Sequence, residues 1–210
     1  MTKQKISHLL PQLEARFPQL RAAPPLMVLP PVRELIRGIL FERSSARDQF
    51  YINVFVMATC VPSRTLVLSL GWRLRKRAGR TLWDSNDSDL ISELSKVIEE
   101  EALPFLNRAK TTSEAACLAV TLFGNHTPYL TEVNAYLLAR SGQVEQSLRS
   151  LRGLIGSLTP PAFAWQADTV ARAKKLEDLL CESSDLALAQ LKRWESETIQ
   201  ALKLERFSGV

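Results

Sequence analysis

Cysteine is scarce in this 210-residue chain and badly spaced for cross-linking: Cys60, Cys117 and Cys181 are odd in number, far apart, and form no CxxC pair. That spacing argues against a disulfide framework and against a zinc site, and it fits a reducing compartment. Histidine is rarer still. His8 and His126 are the only two, and neither has a spacing that would partner a Cys or Ser nucleophile. No GxGxxG, Walker phosphate loop, HExxH or GxSxG occurs, so the chemistries those motifs carry have no signature here. Long apolar runs are also missing. The densest, Val54 to Val61, falls far short of the roughly 18 residues that a membrane span needs. Up to Pro11 the apolar residues come in pairs broken by Ser7 and His8, which is not a signal-peptide core. The expectation is a cytoplasmic chain with no membrane partner, no cofactor, and no catalytic or metal-ligating residue that spacing can pick out.

What is present is the composition of an ordinary globular protein, 46% hydrophobic and 23% charged. A chain this long buries roughly 70% of its unfolded surface and can hold a core without staples. Its net charge of +5, from 27 Lys and Arg against 22 Asp and Glu, is concentrated in one place. Arg73, Arg75, Lys76, Arg77 and Arg80 lie within positions 73 to 80 with no acid among them; without those five, the remaining charges balance at 22 each. A concentrated patch of this kind steers anionic partners, whereas a diffuse excess mainly aids solubility. Two readings follow. The five cations form a phosphate-binding turn for nucleic acid, or they are neutralised within the fold by Asp87, Asp89, Glu93, Glu99, Glu100 and Glu101 on the next helix. Aromatic interleaving is thin: Trp72 and Trp83 flank the cluster, but Trp72 falls on an apolar strand face and reads as core.

Along the chain, Leu9, Leu10, Leu13 and Phe17 recur at helical spacing and predict a short amphipathic helix within Ile6 to Leu20, interrupted or started near Pro11. Pro24, Pro25, Pro30 and Pro31 then confine Leu26 to Leu29 to an edge strand or an extended linker. Three strands follow: Glu34 to Arg43, Gln49 to Met57 with both faces apolar and therefore central, and Thr65 to Arg73. Their short connections predict an antiparallel meander. The string Asp84 to Asp89 supplies helix caps ahead of Leu90, Ile91, Leu94, Val97, Ile98, Ala102 and Phe105. A calcium loop is the poorer reading of that string, because its sixth and twelfth places hold Asp89 and Ser95 rather than Gly and Glu. Beyond Thr111 no strand is expected. Helical stripes run through Val144, Leu148, Leu151, Ile155 and Leu158, and through Leu188, Leu191, Trp194, Thr198 and Leu202. Tyr136 to Leu148 resembles the helix-turn-helix joint of a tetratricopeptide repeat, but no second copy follows at a period of about 34, so it predicts a plain helical hairpin.

The fold class that follows is α+β: a small antiparallel meander sheet with covering helices over 1–110, then an all-helical portion over 111–210. Tyr51 to Val56, Val61-Pro62-Ser63, Leu68 to Leu74 and Trp83 are similar to a bacterial family of uncharacterised proteins. The resemblance spans about residues 30 to 110, and some members of that family accompany toxin and immunity loci. It implies an antitoxin-like or other protein-binding role and carries over no catalytic residue. The expected function is a protein-interaction module, of the immunity type, that binds another protein stoichiometrically. The alternative is nucleic-acid binding through residues 73 to 80.

Overall fold

A computed structural model describes residues 3–76, 79–124 and 127–209. The chain folds as two compact units: Met1–Met57, Leu66–Arg108 and Lys203–Val210 form one, and Ala58–Thr65 and Ala109–Leu202 the other. The first holds a six-stranded antiparallel sheet and the second is helical, so the architecture is α+β. Among the described residues no helix is long and apolar enough to cross a membrane.

In the sheet unit, α1 spans Lys3–Arg16 and carries Pro11 inside it. It ends before Leu20, short of the expected limit, because Pro18 disfavours helical backbone at Phe17. Leu10, Leu13 and Leu20 are fully buried. Next come β1 (Arg21–Ala23), β2 (Leu26–Val28), β3 (Leu35–Arg43), β4 (Gln49–Ala58), β5 (Leu70–Arg73) and β6 (Trp83–Asp84). The first five follow one another in sheet order, and β6 pairs with β4.

Three expectations about this sheet are corrected. Leu26 to Val28 is an internal strand, paired to β1 through Met27↔Ala22 and to β3 through Met27↔Ile39. The prolines lie just outside the three paired residues, so no ladder donor is lost. The third strand begins at Leu70 and not at Thr65; ahead of it the Val67 N–H donates to the Met57 sulfur at 3.4 Å instead of to a carbonyl. The two-residue β6 had no sequence signal at all. The central place expected for Gln49 to Met57 is the one observed. β4 pairs Val54↔Trp72 with β5 and Phe50↔Trp83 with β6, and Val54, Phe55, Val56 and Met57 are buried on both faces. Gly71 permits the first of these pairings. A Cβ there would lie 2.2 Å from the Val54 carbonyl oxygen.

The helix expected from Leu90 to Phe105 is continuous but not uniform. α2 (Leu90–Val97) widens into a π turn at Ile98–Ala102 before α3 (Leu103–Asn107). Pro104 near the start of α3 has no N–H to donate to the preceding turn, and the wide turn accommodates it. The acids before α2 do not cap it. Asp84 Oδ1 accepts the Asn86 N–H at 2.8 Å and Asp87 Oδ1 accepts the Asp89 N–H at 3.1 Å, while the N-cap residue Asp89 makes no side-chain cap. These carboxylates fold the turn itself. Residues 203–209 return to the sheet: the Val32 N–H donates to the Phe207 carbonyl at 2.9 Å and Arg206 to that of Ala22 at 3.0 Å.

The helical unit contains α4 (Thr112–Leu118), a π turn at Ala119–Phe123, α5 (Pro128–Arg140), α6 (Val144–Ser157), α7 (Ala164–Glu182) and α8 (Ser184–Ala201). As expected, no strand occurs after Thr111 among the described residues. Thr111 and Glu114 form a reciprocal capping box on α4, and the Thr127 and Ser183 hydroxyls cap α5 and α8. The hairpin read at Tyr136 to Leu148 is α5–α6, turned at Gly142 with φ +79°. α5 is the central helix, packed against α4, α6, α7 and α8 and buried from Val133 to Ala139. The α6 stripe is rotated from the expected one, since Ser147, Leu151, Leu154 and Leu158 face inward.

Candidate partner-binding surface

The described members of the five cations read from the sequence sit in different surroundings. Arg73 ends β5 with its guanidinium 4.0 Å from the Tyr51 ring centre and 3.3 Å from Glu42 Oε2. Lys76 opens a tight turn, accepting the Gly79 N–H and donating its own to the Arg80 carbonyl, both at 2.8 Å. Its ammonium lies 2.8 Å from Asp87 Oδ2 and 3.5 Å from Glu93 Oε2. Burial pulls the Lys76 ammonium down, but the hydrogen bond to Asp87 and the charges of Asp87 and Glu93 outweigh it and hold the group above the ordinary lysine value. The same hydrogen bond, with that from the Asp89 N–H, holds Asp87 below the usual carboxylate range. Arg75 and Arg80 are exposed, and Arg77 lies outside the described residues. Trp72, read as core, is 38% exposed, with its ring centre 4.4 Å from that of Phe105; Trp83 is fully buried and donates to the Leu74 carbonyl. His8 lines a groove of about 320 Å³ with Gln12, Asp87 and Ile91, and His126 lies outside the described residues.

A buried polar cluster in the helical unit had escaped sequence reasoning. Glu132 on α5 is 1% exposed and takes Arg172 of α7 in a two-pronged contact, Nε to Oε1 at 2.9 Å and a terminal nitrogen to Oε2 at 3.1 Å. The Tyr136 hydroxyl donates to Glu132 Oε1 at 3.0 Å, and Arg172 also donates to Thr169. Arg140 of α5 pairs with Glu195 of α8 at 3.2 Å. Cys60, fully buried, is pushed up to about 12 by burial and by Glu195, against the opposing pull of Arg140. Burial and Glu132 likewise push the Tyr136 phenol up. At neutral pH both stay protonated, so neither supplies an anionic nucleophile or base. The paired charges fix the register of α5 against α7 and α8. Cys117 and Cys181 are exposed free thiols.

Four large apolar side chains of the helical unit stand exposed at the π turn after α4 and at the start of α7. Val120 and Leu122 on the π turn are 47% and 46% exposed, and Phe163 and Trp165 at the start of α7 are 64% and 52% exposed. The backbone at the start of α7 is held in place. Gln166 Oε1 accepts the backbone N–H of Ala162 at 2.6 Å and of Phe163 at 3.1 Å, and Pro160 and Pro161 stiffen the approach. Their sequence surroundings lack charge: residues 115–131 and 153–167 contain no Asp, Glu, Lys or Arg.

Compared with known protein families, with curated proteins and with solved structures, the chain finds no match.

Proposed function

We propose that the protein is a protein-interaction module that binds another protein stoichiometrically through the exposed aromatics Phe163 and Trp165 at the start of α7. The observation that carries this reading is the pair Phe163 and Trp165, more than half exposed at the start of α7, where Gln166 closes the backbone at Ala162 and Phe163. Large aromatics are costly to leave in water and dominate binding energy when a partner covers them. The resemblance of Tyr51 to Val56 and Leu68 to Leu74 to a family some of whose members accompany toxin and immunity loci supports a protein-binding role, with a toxin as the partner class, and does not bear on the α7 site. Co-expression with the protein encoded beside it tests this. We expect a 1:1 complex that survives nuclease treatment and weakens at least about 30-fold when Phe163→Ser and Trp165→Ser are combined, the loss of at least one binding hot spot. A complex indifferent to both changes refutes it.

A second reading rests on Arg75 and Arg80, exposed on the turn after β5 beside the partly exposed Trp72. They favour nucleic-acid binding through residues 73 to 80, with fewer available cations than the sequence implied.

A further inference from the structure

We infer that the free edge of β5 takes an extended segment of a partner protein, with acidic residues at alternate positions, as an added strand of the sheet. This edge belongs to the sheet unit and is independent of the aromatics at the start of α7. In an antiparallel ladder, alternate residues direct both backbone groups to the neighbouring strand, and the residues between them direct both away. The Leu74 N–H donates to the Ile52 carbonyl at 2.8 Å and Trp72 lies opposite Val54, so Leu70, Trp72 and Leu74 face β4. Gly71 and Arg73 therefore present their N–H and C=O groups outward, and among the described residues these groups meet no hydrogen-bond partner. The opposite edge of the sheet is closed. Ala22, in the middle of β1, gives its N–H to Glu14 Oε2 at 3.4 Å, and its carbonyl accepts Arg206 at 3.0 Å. Side chains thus answer the backbone at one edge and not at the other, and an unanswered edge is a template for a further strand.

Backbone and charge together select the occupant. The edge offers donors and acceptors in alternation. A phosphate chain would set its anionic oxygens against the Gly71 and Arg73 carbonyls, whereas a polypeptide backbone answers both kinds of group. Side chains of an added strand alternate between the two faces of the sheet. On one face they meet the Arg73 guanidinium, with the exposed Arg75 just beyond the strand, which favours Asp or Glu at alternate positions. The contact of Arg73 with Glu42 leaves room for this, because both side chains are nearly half exposed, such pairs are weak, and a guanidinium carries five donors. On the other face the partly exposed Trp72 ring favours an apolar residue between the acids. A second copy fits badly, since it would bring its own Arg73, Arg75 and Arg80 to the contact, like charge against like. A ladder this short with one ring sets a dissociation constant on the order of 100 μM.

Amide hydrogen exchange of the full chain, read by NMR, tests this with a peptide of alternating glutamate and valine, about seven residues long, as the probe. In the free protein the Gly71 and Arg73 amides should exchange fast, while those of Trp72 and Leu74, bonded to β4, are protected. Peptide at about 1 mM should slow Gly71 and Arg73 about 10-fold, since at that affinity roughly one chain in eleven stays free. The same peptide N-methylated on the nitrogens that face the edge should bind at least about 10-fold more weakly, as should a peptide of alternating lysine and valine. Arg73→Gln with Arg75→Gln should weaken the glutamate peptide to a similar degree at an unchanged melting temperature, and Phe163→Ser with Trp165→Ser should leave its binding unchanged. Three results overturn the inference: Gly71 and Arg73 amides already protected in the free chain, no slowing by the peptide, and equal binding of its N-methylated form. Displacement of the peptide by a single-stranded oligonucleotide at about 0.15 M salt does so too, by assigning the cations to nucleic acid, and so does protection of the two amides by raised protein concentration alone, which assigns the edge to a second copy. All five leave the proposed site on α7 standing, whereas peptide binding lost with Phe163 and Trp165 places the peptide there and overturns the edge.

Discussion

Replacing Arg172 by Met leaves the Glu132 carboxylate, 1% exposed, with the Tyr136 hydroxyl as its remaining partner in the cluster. Taking one member out of a buried pair costs about 3–5 kcal/mol, because the other charge stays desolvated. Glu132→Leu should cost less, since the Arg172 side chain is 27% exposed and can reach water. The double variant Glu132→Leu, Arg172→Met removes both charges and should recover most of the loss, as apolar replacements of whole buried pairs often do. It should still fall about 1–3 kcal/mol short, because the fully buried Tyr136 hydroxyl then lacks its acceptor. Adding Tyr136→Phe should close that remaining gap. Urea unfolding followed by circular dichroism measures the four variants; a single loss of about 3–5 kcal/mol corresponds to a melting shift on the order of 10 °C in a chain of this size. An Arg172→Met cost below about 1 kcal/mol, or a double variant no better than that single, refutes the reading of this cluster as an interlocked charge pair.

Gly71→Ala should destabilise the sheet by about 1–3 kcal/mol, because its Cβ meets the Val54 carbonyl; Gly153→Ala, with open space above it, should stabilise α6 by about 0.5–1 kcal/mol, and thermal melts of the pair check both. Titration with a thiol reagent at pH 8 should modify Cys117 and Cys181 quickly and Cys60 only in denaturant, since its thiol is buried and pushed up to about 12. The Lys76–Asp87 pair should stabilise the fold across mid-range pH. Asp87, held low, loses its contribution as pH falls through its folded value, and Lys76, held high, loses its own as pH rises through its folded value. Urea midpoints of Lys76→Met and wild type should therefore differ most near neutrality and converge at both extremes. Duplex DNA should show no measurable binding at about 0.15 M salt; if it binds through Arg75 and Arg80, exposed among the described residues, those two contacts give a log–log salt slope near −1.8, and Arg75→Ala with Arg80→Ala should flatten it.

The sheet was legible where side chains alternate over many residues. β4 could be recognised as central because Phe50, Ile52, Val54 and Val56 alternate with Phe55 and Met57, leaving neither face polar enough for water. Strands β1, β2 and β6 are too short to show a period, and the prolines around β2 read as an edge signal although they stand just outside its ladder. The Asp84 to Asp89 string had the right composition for a cap, but the Asp84 and Asp87 carboxylates each accept the N–H two residues on and close onto their own turn first. Glu132 could have been flagged as a lone acid in the apolar run from Pro128 to Ala139. Its partner forty positions away, at Arg172, has no sequence signature. The basic segment was visible as charge, but a count of cations cannot show that Lys76 is already held by Asp87 and Glu93.

The route of the chain has a consequence for how the protein can be made and cut. Strand β1 receives Arg206 on its Ala22 carbonyl, and Val32 binds the Phe207 carbonyl, so the sheet unit is not complete until residues 203–209 have left the ribosome. The helical unit draws only on residues up to Leu202 and can close earlier, while the older sheet waits with one margin unfinished. Removing residues 203–209 therefore damages the unit made first rather than the one made after it, and an excision at residue 108 yields neither unit intact.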